Sequence, residues 1–262
     1  VPGLLDALGS ARVFDLEQLR YAGAPSHPAH QPGFNYFLHR HHAQGATEAR
    51  TGASGIVVMP EHSGTHIDAL AHQAENLTLH GGVHVDSGIQ TSVGFRVLGI
   101  ETMAPLVSRG VLLDVAGPTR LPPEQSITVQ DLERARVAAG VEIREGDVVL
   151  VRTGYGGLWS EPAEYLRGAG VSAAGSSWLI NQKVGAVGAD NMAWDVMGPT
   201  DPELGVTLPG HILLLVRAGI PIIENLNLED LAAAGVHEFA FVCLPLKMRG
   251  ATGSPVRPIA IA

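Results

Sequence analysis

Residues 62–72 read His62-Ser63-Gly64-Thr65-His66-Ile67-Asp68-Ala69-Leu70-Ala71-His72. Three histidines and one aspartate fall within these eleven positions. Positions 62, 64, 66 and 68 share a parity, so an extended chain points them to one face. Three of them carry metal-binding groups, and Gly64, lacking a side chain, leaves space for an ion. Imidazole and carboxylate without sulfur form a donor set for Zn²⁺ or Mn²⁺. His62, His66 and Asp68 are therefore candidate ligands, and the second oxygen of Asp68 could reach a second ion. His72 returns toward the site if a helix starts after Asp68. The expected chemistry is a metal-activated water, and so a hydrolytic enzyme. The spacing differs from the His-Glu-x-x-His of zincins.

Upstream, residues 21–55 are rich in Gly, His, Pro and Ala and lack a clean period. Long irregular stretches of this kind are usually functional or disordered. Their aromatic and histidine content, from Phe34 to His42, predicts a loop ordered over a substrate site. Phe34 and His41 are candidate substrate contacts there. A strand from Gly55 to Pro60 should lead into the histidine cluster.

Downstream, helices and strands alternate. Thr128 with Asp131 three residues on predicts a helix start, and Gly140 its end. Asp147 to Arg152 reads as a buried strand, Ser177 to Lys183 as a helix and Val184 to Gly188 as a short strand. Pro209 suits the first turn of a helix through Arg217, which Gly219 stops. Ile220 to Glu224 reads as a strand, Leu228 to Ala234 as a helix capped by Asn227, and Glu238 to Leu246 as the last long strand. This alternation is the α/β pattern. Several connections are too short for a regular doubly wound sheet, which predicts a mixed sheet with helices packed outside. No convincing linker interrupts residues 1–262, so one domain is expected.

The chain has 262 residues, of which 45% are hydrophobic, enough for a sizeable core. Its formal charge is −9 without a basic run, which argues against nucleic acid. The single cysteine, Cys243, lies in an apolar run and reads as a buried small hydrophobe. No apolar run approaches the roughly 20 residues that span a bilayer. These features, with no visible targeting segment, predict a cytoplasmic protein acting on a small molecule. A homodimer or homotetramer is expected, with residues 21–55 facing their own or a neighbouring site.

The pattern His-x-Gly-Thr-His-x-Asp-x-x-x-His, met here by His62, Gly64, Thr65, His66, Asp68 and His72, resembles the cyclase family. That family contains bacterial kynurenine formamidases and isatin hydrolases. The segment from His211 to Glu224-Asn225-Leu226 resembles its second ligand region, and Gly253 to Pro258 its C-terminal stretch. One departure is Leu70, where a proline is common. The resemblance implies a kynurenine-formamidase-type fold, a swivelling β/β/α arrangement. It assigns His62, His66 and Asp68 to one metal, and Asp68, His211 and Glu224 to a second. It makes His72 the proton donor and acceptor. One or two ions of Zn²⁺ or Mn²⁺ would serve. The implied reaction is hydrolysis of an amide, lactam or ester in a small, often aromatic, molecule. The alternatives are ring closure of a polyketide-like carbonyl compound, or metal binding without catalysis.

Other residues carry weaker signals. Trp178, near a helix start, suits either a pocket wall or the core. His39 and His42 share the setting of His41. His80 and His84 have the i, i+4 spacing of a metal pair, but Gly81 and Gly82 between them argue against a regular helix. Asp190-Asn191 could orient a ligand from behind, and Ser254 suits a turn.

Overall fold

Val148–Arg152 opens on four apolar residues, Val148 to Val151, and is buried on both faces, as a central parallel strand requires. It anchors a nine-stranded mixed sheet. The computed structural model describes residues 9–42 and 48–262. In chain order the sheet strands are β1 (Val13–Asp15), β2 (His66–Asp68), β3 (Leu106–Asp114), β4 (Val148–Arg152) and β5 (Ala186–Ala189). They continue with β6 (Ile222–Glu224), β7 (Glu238–Cys243), β8 (Gly253–Pro255) and β9 (Ile259–Ile261). The spatial order is β1-β9-β7-β3-β4-β5-β6-β2-β8. Strands β3 to β6 run parallel, and the flanking pairs are antiparallel. The expected single-domain α/β architecture is present.

Alternation along the strands divides the core between the two faces. Leu112, Val148, Leu150 and Ile223 pack on one face with Phe241, Leu228 and Leu231. Val111, Val149, Val151 and Ile222 pack on the other with Leu132, Leu179 and Leu214. Cys243 is buried in the first layer, where burial pushes its thiol up to about 12.

The second layer is covered by α1 (Val129–Ala139), α2 (Ala173–Asn181) and a helical segment, Pro209–His211, running into a π-helical Ile212–Ala218. Helix α1 begins with a reciprocal capping box between Thr128 and Asp131. Trp178 lies half-buried beside α1, where its indole N–H donates to Glu133 Oε1 at 3.1 Å. No helix among the described residues is long and apolar enough to cross a membrane.

The stretch 21–55 is more regular than its composition predicts. Asn35–Arg40 pairs antiparallel with Ser54–Val58 in a hairpin. Tyr36, Phe37, Leu38, Ile56, Val57 and Val58 are all exposed on it. Neighbouring β-branched and aromatic residues pair across strands even without a core beneath them. Residues 43–47 of this stretch lie outside the described residues.

Candidate metal centre

Register between strands distant in sequence builds the site. Glu224 on β6 stands directly opposite His66 on β2, so both side chains leave the same face. Asp68 follows on that face, paired with Gly253 of β8. A Cβ at Gly253 would lie 2.6 Å from the His62 ring, so only glycine lets that ring approach.

The strand parity expected for the motif holds only from His66 to Asp68. Residues 61–65 form turns and bends, and His62 enters the site from them. Gly64 adopts φ +65°, and a Cβ there would meet the Arg20 guanidinium at 2.6 Å. The space beside Gly64 thus belongs to Arg20, which also donates to the carbonyls of Ser63 and Thr65. No helix returns His72. A turn does so, with its N–H donating to the Ala69 carbonyl at 2.9 Å.

Each of three imidazoles has one nitrogen committed behind the site. His66 Nδ1 donates to the Gly64 carbonyl at 2.8 Å, and His211 Nδ1 to Asp195 Oδ2 at 2.9 Å. His62 Nε2 donates to Thr252 Oγ1 at 2.9 Å, whose own hydroxyl donates to Glu61. The other nitrogens face the two carboxylates. His62 Nδ1 lies 2.8 Å from Asp68 Oδ1, and His66 Nε2 lies 3.5 Å from the same oxygen. His66 Nε2 lies 3.4 Å from Glu224 Oε2. His211 Nε2 lies 3.2 Å from Glu224 Oε1 and 3.7 Å from Asp68 Oδ2.

Asp68 Oδ2 and Glu224 Oε1 are buried without a hydrogen-bond partner. Such atoms are costly unless something positive faces them. Donors about 2.1 Å from a tetrahedral ion are roughly 3.4 Å apart, close to these spacings. The residues therefore fit a divalent cation, held by two orphaned oxygens and three inward-facing nitrogens.

The electrostatics agree. Burial alone would lower His66 and His211, yet Glu224, with Asp68 or Asp195, holds both above the usual histidine range. Burial alone would raise Glu224, yet His211 and His66 hold it well below. Carboxylates this close favour positive charge at the imidazoles, as they would favour a cation. His62 and His72 behave oppositely. Burial pulls them down to about 2 and about 3, so both are neutral at pH 7.

A cavity opens onto this cluster. His27, His30, His72, Gln73, Met192 and Leu208 line it with His62, His66, His211 and Glu224. His72 stacks on His62 with ring centroids 4.0 Å apart. The structure thus brings together His62, His66, Asp68, His72, His211 and Glu224. It does not bring Phe34, His41 or Trp178 to this cavity. His41 is exposed beyond the hairpin strand, Phe34 is half-buried before it, and Trp178 packs on the helical layer.

His80 Nδ1 bonds the Val216 carbonyl at 3.0 Å while His84 is exposed on a separate short strand, so they form no pair. Asp190 accepts from the N–H groups of Thr153, Gly154 and Gly156, and so shapes a loop. Sequence reasoning missed Asp195, Thr252, His27 and His30. His27-Pro28-Ala29-His30 carried a signal: a histidine cap before a proline at the first helical position.

The comparisons match this geometry. The chain is 28% identical over 270 residues to cyclase-like protein 3 of Oryza sativa subsp. japonica, covering 100% of this chain and 84% of that protein. It is 26% identical over 215 residues to isatin hydrolase of Roseibium aggregatum, covering 78% of this chain and 73% of that one. It is 27% identical over 187 residues to kynurenine formamidase of Polaromonas naphthalenivorans, covering 70% and 71%. A solved structure described as a novel cyclase superposes with a TM-score of 0.85 at 27% identity, covering 100% of this chain and 92% of that one. The Cyclase family model matches residues 15–196, which include the whole His62–His72 segment. With fold, motif and family match in agreement, this chain belongs to the Cyclase family.

Proposed function

We propose that this protein is a metal-dependent hydrolase of an amide, lactam or ester bond in a small molecule. The carrying observation is the convergence of three imidazole nitrogens on two orphaned carboxylate oxygens at the floor of a cavity. The names of the isatin hydrolase and kynurenine formamidase relatives support the reaction class.

His62, His66 and Asp68 would hold one ion, and Asp68, His211 and Glu224 a second where two bind. Zn²⁺ and Mn²⁺ both suit nitrogen and oxygen donors. A divalent ion bound there supplies Lewis acidity, which lowers the pKa of water and offsets charge on a carbonyl oxygen. The protein's own groups do the rest. Asp195, Thr252 and the Gly64 carbonyl fix the imidazole tautomers, so no ring must rotate during turnover. His72 stands beside His62, open to the cavity. It takes a proton from the attacking water and returns it to the leaving nitrogen or oxygen.

Chelation should abolish activity, and Zn²⁺ or Mn²⁺ should restore it. His72→Ala should lose roughly 10²–10⁴-fold in rate while keeping its metal. His66→Ala should lose the metal. Oxygen-18 from solvent should enter the carboxylate product, which ring closure would not produce. Full turnover by a rigorously metal-free sample would refute this function.

A further inference from the structure

His27 and His30 line the cavity from outside the 62–72 segment. The His30 ring stacks on His62, with centroids 4.8 Å apart and an interplanar angle of 24°. His27 tilts against it, at 5.5 Å and 48°. Among the described residues, no hydrogen bond engages a His30 ring nitrogen. One face of the His30 ring is covered by His62, and its polar edge is left for a ligand.

A cation held by His30, His62 and His72 is the obvious alternative, since their ring nitrogens come within 4.8 Å of one another. The stacking argues against it. Imidazole lone pairs lie in the ring plane, so His62, stacked at 24° on His30 and 30° on His72, sends its own alongside theirs rather than to a common point. His62 Nε2 is also held by Thr252, and its Nδ1 faces Asp68 within the ligand set already described, away from His30.

The remaining lining is informative. Ala29, Met192, Ala193 and Leu208 supply apolar contact, and Gln73 is neutral. No lysine or arginine lines the cavity among the described residues. A substrate carboxylate placed on this wall would lose water without gaining a cation. A neutral imidazole edge can instead donate or accept. His27 Nδ1 accepts from the Ala29 N–H at 3.2 Å, capping the short turn Pro28–His30 that carries His30.

We propose that His30 orients the substrate, its ring edge hydrogen-bonding a polar substituent of an uncharged carbonyl compound, and that His27 positions it. This rests on the hydrolase reading.

The test uses the metal-loaded full chain and two compounds differing only by a carboxylate, formanilide and 2-formamidobenzoate. The wild type should prefer formanilide. His30→Ala should raise KM for formanilide roughly 3- to 10-fold, the worth of one hydrogen bond, with kcat and metal content unchanged. His30→Gln should recover part of the loss. An unchanged KM in His30→Ala, or preference for the carboxylate, overturns the proposal. If the loaded wild type hydrolyses neither compound, the hydrolase reading loses its support. His30 is then judged by calorimetric binding of formanilide: weaker binding by His30→Ala supports the assignment, and equal or absent binding overturns it.

Discussion

Asp195 holds His211 from behind, its Oδ2 lying 2.9 Å from the imidazole Nδ1 with both residues buried. The other carboxylate oxygen accepts from the Gly210 N–H at 2.7 Å, so the aspartate is itself fixed. The pairing keeps a proton on Nδ1 and turns Nε2 toward Asp68 and Glu224. Asp195→Asn should therefore weaken metal binding about 10- to 100-fold, measured by competition with a chelator. Unchanged affinity would show that the aspartate serves only the fold.

Glu224 and Asp68 each have an oxygen left without a partner. A carboxylate can bridge two ions, whereas an imidazole with one nitrogen engaged offers a single donor. Glu224→Gln keeps the shape but loses the charge. In a two-ion protein it should lower the bound metal from two ions toward one, read by elemental analysis after dialysis. An unaltered stoichiometry of two would remove Glu224 from the ligand set.

Gly64 needs its lack of a side chain for backbone and for space. With φ +65° and Arg20 Nη1 2.6 Å from a would-be Cβ, Gly64→Ala must strain the turn and displace the guanidinium. The expected loss is about 1–3 kcal/mol of stability, measured by denaturant unfolding. Adding Arg20→Ala should give a less than additive effect, because both changes break the same clamp.

Metal binding should strengthen as pH rises from 6 to 8. In the ion-free protein, burial lowers His66 and His211 less than their carboxylate neighbours raise them. A raised histidine contributes stability below its unfolded value of 6.5 and loses it as pH climbs through its folded value. Glu224, held low, contributes above its unfolded 4.5 and loses that as pH falls toward its folded value. An entering cation must displace the imidazole protons, so it competes best where they leave readily. His62 is already neutral and releases none. Calorimetry in buffers of different ionisation enthalpy should detect proton release. Affinity independent of pH would contradict this account.

Much of this was legible in the chain. The spacing from His62 to His72 pointed to candidate donors because neighbouring residues cannot avoid one another in space. The capping box of Thr128 and Asp131, and the apolar run 148–151, are local signals read against local physics. The parity argument reached only His66 and Asp68, since a left-handed glycine broke the extended chain before them. Composition overstated the irregularity of 21–55 and drew attention to His41, which the hairpin carries outward.

Sequence by itself determined the donor types, the α/β alternation and the likeness of the motif to the cyclase family. Only the tertiary structure decided that Glu224 stands opposite His66, that Asp195 and Thr252 orient two of the imidazoles, and that His27 and His30 line the cavity. The reason is physical. A ligand's identity is a property of one residue, whereas its aim is set by strand register and hydrogen bonds between segments that meet only when the sheet closes.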